Sequence, residues 1–546
     1  MNIRKLKERV RGDVLDDSET RARYSRDASF FQVTPQVVVF PRDVLDLKAL
    51  VAFVEEERKE GNSLSLTPRA AGTDMTGGSI GESIIVGFEK YFNHMRKVNG
   101  DFAVAEPGVF YRDFERETLK KGMIMPSFPA SREICALGGM VSNNAGGEKT
   151  LKYGKTEKYV RELKMILSDG EEYVIKPLTR EELIKKIKGK SFEAQIYKKM
   201  YKLIEEHYEE IMNARPKVSK NSAGYALWNV WDKEKGVFDL TKLIVGSQGT
   251  LGLLTEIKLG LVPLKKHSRM MAVFLYDAEL LSRIVDMVLP YDPEAFESYD
   301  NNTFMLALRY FYSFAKLMGV KSIISLGLKF IPELILIATR GIPKLVLLLE
   351  FTHDNENFLR ATMSRLEKDI GKFNVKVRIL ENEAEAQKYH AVRRESFNLL
   401  RQKIKNKRTA PFIDDIVVAP PFLSEFLPQL DAILKQYPLT YTLAGHVGDG
   451  NFHIIPLMNL KDEKERGMIP ELMDKVYDLV LRYGGSLTGE HNDGLIRSPY
   501  LRKMFGDSTY KLFEEVKMIF DPHAIFNPGK KVGSDLRFAL DHIRRD

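Results

Sequence analysis

Three turns crowded with small residues constrain the first half of the chain more than any other feature: Pro68–Gly78 (PRAAGTDMTGG), the tract from Pro126 through Gly147 that ends LGGMVSNNAGG, and Gly246–Gly252 (GSQGTLG). Residues this small let backbone N–H groups come close to a ligand, as in anion-binding nests. Apolar runs flank them, SLSL before the first and KLIV before the third. Upstream, QVVVF at 36–40 reads as a strand stopped by Pro41, and DVLDLKALVAFVEEERKEG continues with helical spacing to Gly61. The first half is therefore predicted to be mixed α/β. Its first turn spells neither GxGxxG nor GxxxxGK[ST], so Rossmann and Walker readings do not apply.

A chain of 546 residues, 44% hydrophobic and 29% charged, is long enough for two domains and a smaller third element. The β-prone run KLIVGSQGTLGLLTEIKLGLVPL closes the first part, giving expected domains at 1–265, 266–480 and 481–546. In the second, SRMMAVFLYD and KLVLLLEFTHD read as buried strands separated by helical stretches, an α+β pattern. The net charge of +8 is spread along the chain and nearly matched by 75 acidic residues, which argues for solvated faces and against a nucleic-acid stripe. The one cysteine, Cys135, excludes a disulfide framework, a zinc ribbon and a cysteine-ligated iron–sulfur cluster within this chain. The charged start MNIRKLKERVRGDVLDDSE lacks the apolar core of a secretory signal, so a cytoplasmic protein is expected. Segment 304–346 is unusually apolar but broken by Arg309, Lys316, Lys321, Lys329, Arg340 and Lys344. It falls short of the ~20 uninterrupted residues of a membrane span. Two readings stay open for it: a peripheral contact with the inner face of an anionic membrane, or buried helices with snorkelling lysines.

Chemistry concentrates in the second half. In GHVGDGNFH, His446 and His453 flank a Gly-Asp-Gly centre between the strand-like runs YTLA and IIPL. A hairpin there brings the two imidazoles near enough to share a divalent cation. Downstream, GGSLTGEHNDG offers Glu490 and His491 in a Gly-flanked loop. His446, His453 and Glu490 then form a three-ligand set with an open position. The bland alternative is that these histidines satisfy backbone carbonyls; their clustering at glycine turns favours chemistry.

Taken in order, the small-residue turns, with ILSDG at 166–170 and Glu256, resemble the FAD-linked oxidases of the vanillyl-alcohol oxidase type. The two histidine motifs, with DPHAIFNPGK at 521–530, look like the D-lactate, glycolate and D-2-hydroxyglutarate dehydrogenase branch, so the resemblance covers nearly the whole chain. It implies an α+β architecture: a PCMH-type FAD-binding domain of two subdomains, a substrate (cap) domain with an antiparallel sheet, and a C-terminal segment returning to the flavin. Carried over by position, FAD binding falls in the first turn to Pro68, Arg69, Ala70, Ala71, Gly72, Thr73 and Asp74. In the second tract it falls to Pro126, Ser131, Gly138, Gly139, Ser142, Asn143, Asn144, Gly146 and Gly147. Gly249, Thr250, Gly252, Glu256 and Asn527 complete the set. The resemblance likewise implies His446, His453 and Glu490 as ligands of a divalent metal, Zn or Mn, His491 as catalytic base, and Arg393, or else Arg394, as the partner of a substrate carboxylate.

Two departures bear on substrate and partners. GEHNDG replaces the commoner GEHGIG and is closer to long FAD dehydrogenases fused to iron–sulfur domains. Phe412 and Ile413 stand where 2-hydroxyglutarate enzymes carry a basic residue, which favours a neutral tail. The expected activity is oxidation of a D-2-hydroxy acid, D-lactate or glycolate-like, to the 2-oxo acid by hydride transfer to FAD. No His or Cys lies in the first turn to anchor the flavin, so the FAD is expected to be non-covalent. Electrons are expected to leave to a quinone or a separate iron–sulfur or electron-transfer subunit. Three alternatives stand beside this: an FAD-dependent oxidase, an alkyl-glycerone-phosphate-synthase-like enzyme on a lipid-like substrate, and a non-catalytic flavoprotein subunit. Intact His446, His453, Glu490 and His491 speak against the last.

Overall fold

Apolar runs of four residues, bounded by Pro or Gly, become the first sheet. In the computed structural model, which describes residues 1–309, 335–380, 385–393, 404 and 406–546, the strand Val37–Phe40 is buried at every position. It pairs in parallel with Ile84–Gly87, which pairs in parallel with Leu66–Arg69, while Asp13–Leu15 adds an antiparallel edge. Strands buried on both faces need helical cover. The helix Val44–Lys59 provides it, sharing a core through Leu47, Leu50 and Val51 with Val37, Val39 and Leu66. Asp43 caps this helix by accepting from the backbone N–H groups of Leu45 and Asp46, and Gly61 takes φ of +92° just past its end.

An antiparallel sheet follows, in the order Met95–Asn99, Phe102–Ala105, Leu253–Gly260, Val160–Ile166, Glu172–Ile175. The small-residue turns sit where strands of these two sheets end or begin. Leu66–Arg69 runs straight into Ala70–Gly78, and Gly252 immediately precedes Leu253–Gly260.

From His267 the chain builds a larger sheet in which every pairing is antiparallel. Its order is Lys376–Leu380, His267–Leu275, Leu345–His353, Ala295–Asp300, Thr440–His446, Asn451–Met458, Arg408–Thr409, with Ile416–Val417 also on Asn451–Met458. The two apolar runs expected as buried strands, His267–Leu275 and Leu345–His353, lie side by side near its centre. Helices Leu281–Val288, Glu356–Ile370, Leu423–Leu434 and Glu463–Arg482 share a core with Met271, Val273, Leu347 and Leu349 on one face. The other face presents Thr442, Ala444, His446, His453 and Ile455 to a cavity shared with the first half.

The C-terminal segment returns to the turns it was expected to meet. Phe526 bridges Leu66, and the Asn527 side chain donates to the carbonyls of Gly78 and Gln248, both at 2.8 Å. Among the described residues no helix is long and apolar enough to cross a membrane. Residues 310–334 of the 304–346 segment, and Arg394, lie outside the described residues.

Candidate active site

The hairpin between Thr440–His446 and Asn451–Met458 forms as expected. His446 stands opposite Asn451, and His453 opposite Ala444, which puts the two imidazoles on one face as diagonal neighbours. Their ring centroids are 5.3 Å apart. The turn itself demands glycine: Gly450 has φ of +67°, and a Cβ there would lie 1.8 Å from the Val418 carbonyl oxygen. The loop 486–494 enters from the opposite side. Glu490 Oε1 lies 3.2 Å from His446 Nε2, 3.4 Å from His453 Nε2 and 4.0 Å from His491 Nε2.

Each outer ring nitrogen faces a carboxylate. His446 Nδ1 is 2.6 Å from Glu297 Oε1, His453 Nδ1 is 3.1 Å from Asp414 Oδ1, and His491 Nδ1 is 2.8 Å from Asp414 Oδ2. Carboxylates there favour the Nδ1–H tautomer and turn the Nε2 lone pairs toward one point, as behind metal-binding histidines. Burial opposes the charged form of His453, yet Asp414 and Glu490 push it up to about 10. Burial likewise opposes charge on His491, and Asp415 and Asp414 raise it above its ordinary value. Glu490, despite its burial, is held well below the usual carboxylate range by Lys220 and His446. A pocket of imidazoles and carboxylates that draws protons this strongly fits a borderline divalent cation competing for the same lone pairs.

A second donor set is close by: Asp415, His453, Glu490 and His491 each place an atom within 4.8 Å of the others. The oxygens of Asp415 are already committed, however. They accept from Thr488 Oγ1 at 2.6 Å, Glu490 N at 2.9 Å, His491 N at 2.7 Å and Asn451 Nδ2 at 3.0 Å. Asp415 shapes the loop, whereas His446 Nε2 faces Glu490 Oε1 beside His453.

The variant GEHNDG is accommodated residue by residue. Asn492 takes φ of +73°, a left-handed conformation Asn tolerates, and its side chain donates to the carbonyls of Asn143 and Gly246. Asp493, fully buried, meets Lys531 Nζ at 2.7 Å and accepts from Gly224 N at 2.9 Å. Gly494 cannot vary: a Cβ would lie 2.2 Å from Thr76 Oγ1. Behind the loop, 219–224 stitches it to the first half. Lys220 Nζ lies 3.3 Å from Glu490 Oε2 and 3.4 Å from Asp449 Oδ2, and Ser222 N donates to the Thr488 carbonyl at 3.0 Å.

These groups open into a cavity of about 840 Å³, near the top of the roughly 300–1,000 Å³ typical of ligand sites. Its wall includes Pro68 through Asp74, Ser131, Gly138, Gly139, Ser142, Asn143, Gly146, Gly249 and Gly252, and at the other end Arg393, His446, His453, Glu490 and His491. Two observations fit a flat dinucleotide with phosphates. Arg69 Nη1 is buried beside the first turn without a hydrogen-bond partner among the described residues. A Cβ added at Gly139 would meet only Ala70, at 3.9 Å.

The remaining candidates stand behind the wall. Pro126 is buried; Asn144 caps the helix Leu137–Asn143 in a left-handed conformation and bonds Glu157. Gly147 allows the close approach of the Phe128 carbonyl, and Thr250 bonds Tyr225 and the Ser247 carbonyl. Glu256 pairs with Lys164 at 2.9 Å, and Asn527 ties two turns together. Phe412 and Ile413 pack in the core under the large sheet and do not line the cavity, so they carry no information about a substrate tail.

Arg393, in the helical stretch 385–393, has a side chain only 9% exposed and ion-pairs through Nη2 with Glu297 Oε2. Among the described residues its Nε is buried with no partner. Sequence reasoning missed Glu297, Asp414, Asp415 and Lys220. The signal for the first three was acidic residues inside otherwise apolar runs, AFESYD and FIDDIVVAP; Lys220, in a polar loop, left none.

Two family models match: "FAD binding domain" over residues 35–176 and "FAD linked oxidases, C-terminal domain" over 264–531. The chain is 28% identical over 528 residues to a D-2-hydroxyglutarate dehydrogenase of Pseudomonas putida, covering 95% of this chain and 50% of that one. It is 26% identical to a D-lactate dehydrogenase of Anaerostipes hadrus, covering 97% of this chain and 96% of that one. The chain thus spans about half the length of the first of these relatives. In fold it is similar to 4-ethylphenol oxidase from Gulosibacter chungangensis, with TM-score 0.68, 14% identity, and coverage of 97% and 96% of the two chains.

Proposed function

We propose that this chain, which belongs to the PCMH-type FAD-binding oxidoreductases related to D-2-hydroxyglutarate and D-lactate dehydrogenases, oxidises a small D-2-hydroxy acid, D-lactate or glycolate-like, to its 2-oxo acid. The observation that carries this reading is a single cavity walled by the small-residue turns at one end and by Arg393, three imidazoles and Glu490 at the other. Arg393 holds the substrate carboxylate by a charge-assisted contact, for which its Nε, without a partner among the described residues, is available. His491, its Nδ1 2.8 Å from Asp414 Oδ2, offers Nε2 to take the proton of the 2-hydroxyl. Thr303, Thr442, Ala444 and Ile455 give the wall an uncharged stretch and Glu148 adds an acidic group, a combination that suits a short uncharged tail and opposes a second carboxylate. His446, His453 and Glu490 would hold a divalent cation, Zn or Mn, which supplies Lewis-acid polarisation of an oxygen. The redox chemistry is that of FAD, bound non-covalently among the turns and supplying a hydride acceptor. The one cysteine cannot ligate an iron–sulfur cluster within these residues, and this reading takes a quinone or a separate electron-transfer subunit as the onward acceptor.

The test is anaerobic bleaching of the flavin absorption by a panel of D- and L-2-hydroxy acids, with and without a chelator. Bleaching by one D-acid, lost with chelator, supports the reading; no bleaching by any acid overturns it.

A further inference from the structure

We propose that Glu297 is a positioning residue that couples the two halves of the substrate site, because one carboxylate holds both the arginine assigned to the substrate and a histidine assigned to the cation. The inference rests on the roles given above to Arg393 and His446. Glu297 lies on the strand Ala295–Asp300, hydrogen-bonded between Leu345–His353 and Thr440–His446. Its side chain is only 2% exposed. Oε1 is 2.6 Å from His446 Nδ1, and Oε2 pairs with Arg393 Nη2. Nothing else is needed to connect the two groups.

The consequence follows from how a shared acceptor behaves. A cation drawing on the Nε2 lone pair of His446 makes its Nδ1–H a stronger donor. Glu297 then commits more of its charge to His446 and less to Arg393. The guanidinium, its Nε without a partner among the described residues, meets an incoming carboxylate with less internal competition. By linkage the effect is reciprocal: a carboxylate on Arg393 tightens the hold of the site on its cation by the same factor. Glu297 thereby favours holding an acid firmly only when the cation is in place.

Propionate, which has the carboxylate but no hydroxyl, isolates the arginine contact. Its dissociation constant is read from perturbation of the flavin spectrum in FAD-loaded protein, cation-depleted and then saturated with Zn²⁺. The quantity of interest is the ratio of the two constants. Direct attraction between cation and carboxylate contributes to that ratio in every variant, so the comparison is with Glu297→Gln and Glu297→Asp. We expect the wild-type ratio to exceed that of both variants by roughly fivefold or more, and Zn²⁺ affinity without propionate to fall about 10- to 100-fold in Glu297→Gln. Flavin content near one per chain and Zn²⁺ binding at saturation show that the variants are folded. Equal ratios in wild type and both variants, with propionate binding lost in Arg393→Met, overturn the coupling alone. Propionate binding untouched in Arg393→Met overturns the carboxylate role of Arg393, and the coupling with it.

Discussion

Asp414→Asn probes the site through a residue that does not line the cavity. The Asp414 side chain is fully buried and faces the Nδ1 atoms of His453 and His491, at 3.1 and 2.8 Å, with separate oxygens. Asparagine keeps the shape but has one acceptor; its other arm is an NH₂ donor. Whichever imidazole faces that donor must offer it a lone pair and move its own proton to Nε2. If that is His453, a cation ligand is lost; if it is His491, the proton acceptor is lost. Losing one charge-assisted hydrogen bond costs about 1.5–3 kcal/mol, a factor of roughly 10 to 150. We therefore expect the rate constant for anaerobic flavin reduction to fall at least tenfold while flavin content stays near one per chain. Zinc titration separates the two cases, since only loss of His453 weakens cation binding. A variant reducing its flavin within twofold of wild type, with flavin and cation both bound, would refute the claim that Asp414 sets the two tautomers.

Three further expectations follow from the same geometry. Arg393→Lys keeps the charge but not the planar fork, so KM for the acid should rise roughly tenfold with flavin content unchanged, as steady-state kinetics would show. Glu350 is pushed up to about 7 by burial, with Glu294 adding and Lys149 opposing. A carboxyl raised in the folded state contributes stability below its unfolded value near 4.5 that is lost as pH rises through 7. Glu350→Gln should therefore gain on wild type by roughly 2–3 kcal/mol on going from pH 4 to pH 8; thermal melts showing the same difference at both ends would contradict this. Lys531→Met leaves buried Asp493 without its cation and should cost roughly 3–5 kcal/mol, seen as a lowered Tm with earlier flavin release.

The parts of this molecule that announce themselves in sequence are those set by local rules. A four-residue apolar run before Pro41, a capped helix ending near Gly61, and a Gly-Asp-Gly turn between two β-prone runs each form where expected. The turn made the meeting of His446 and His453 legible, because register follows from a short hairpin. Convergence of the 486–494 loop on that hairpin came from the family pattern, since no local rule joins segments forty residues apart. Glu297 and Asp414 were less visible still. Their importance lies in which way a strand residue faces, and a single carboxylate in an apolar run does not state its partner. Phe412 and Ile413 show the reverse error: place in the family pattern was legible, orientation was not, and both side chains turn into the core.

The last part of the chain closes a site whose wall it does not join. Asn527 pins Gly78 to Gln248, and Lys531 anchors Asp493 together with the carbonyls of Ser222 and Gly224. Translation runs from the N-terminus, so every side chain that lines the cavity leaves the ribosome before these clasps exist. Until residues 527 and 531 have emerged, the turns and the histidine loop touch through Asn492 and Ser222 but lack the Asn527 and Lys531 clasps. The groups that face the cavity are thus all made before the residues that complete its frame.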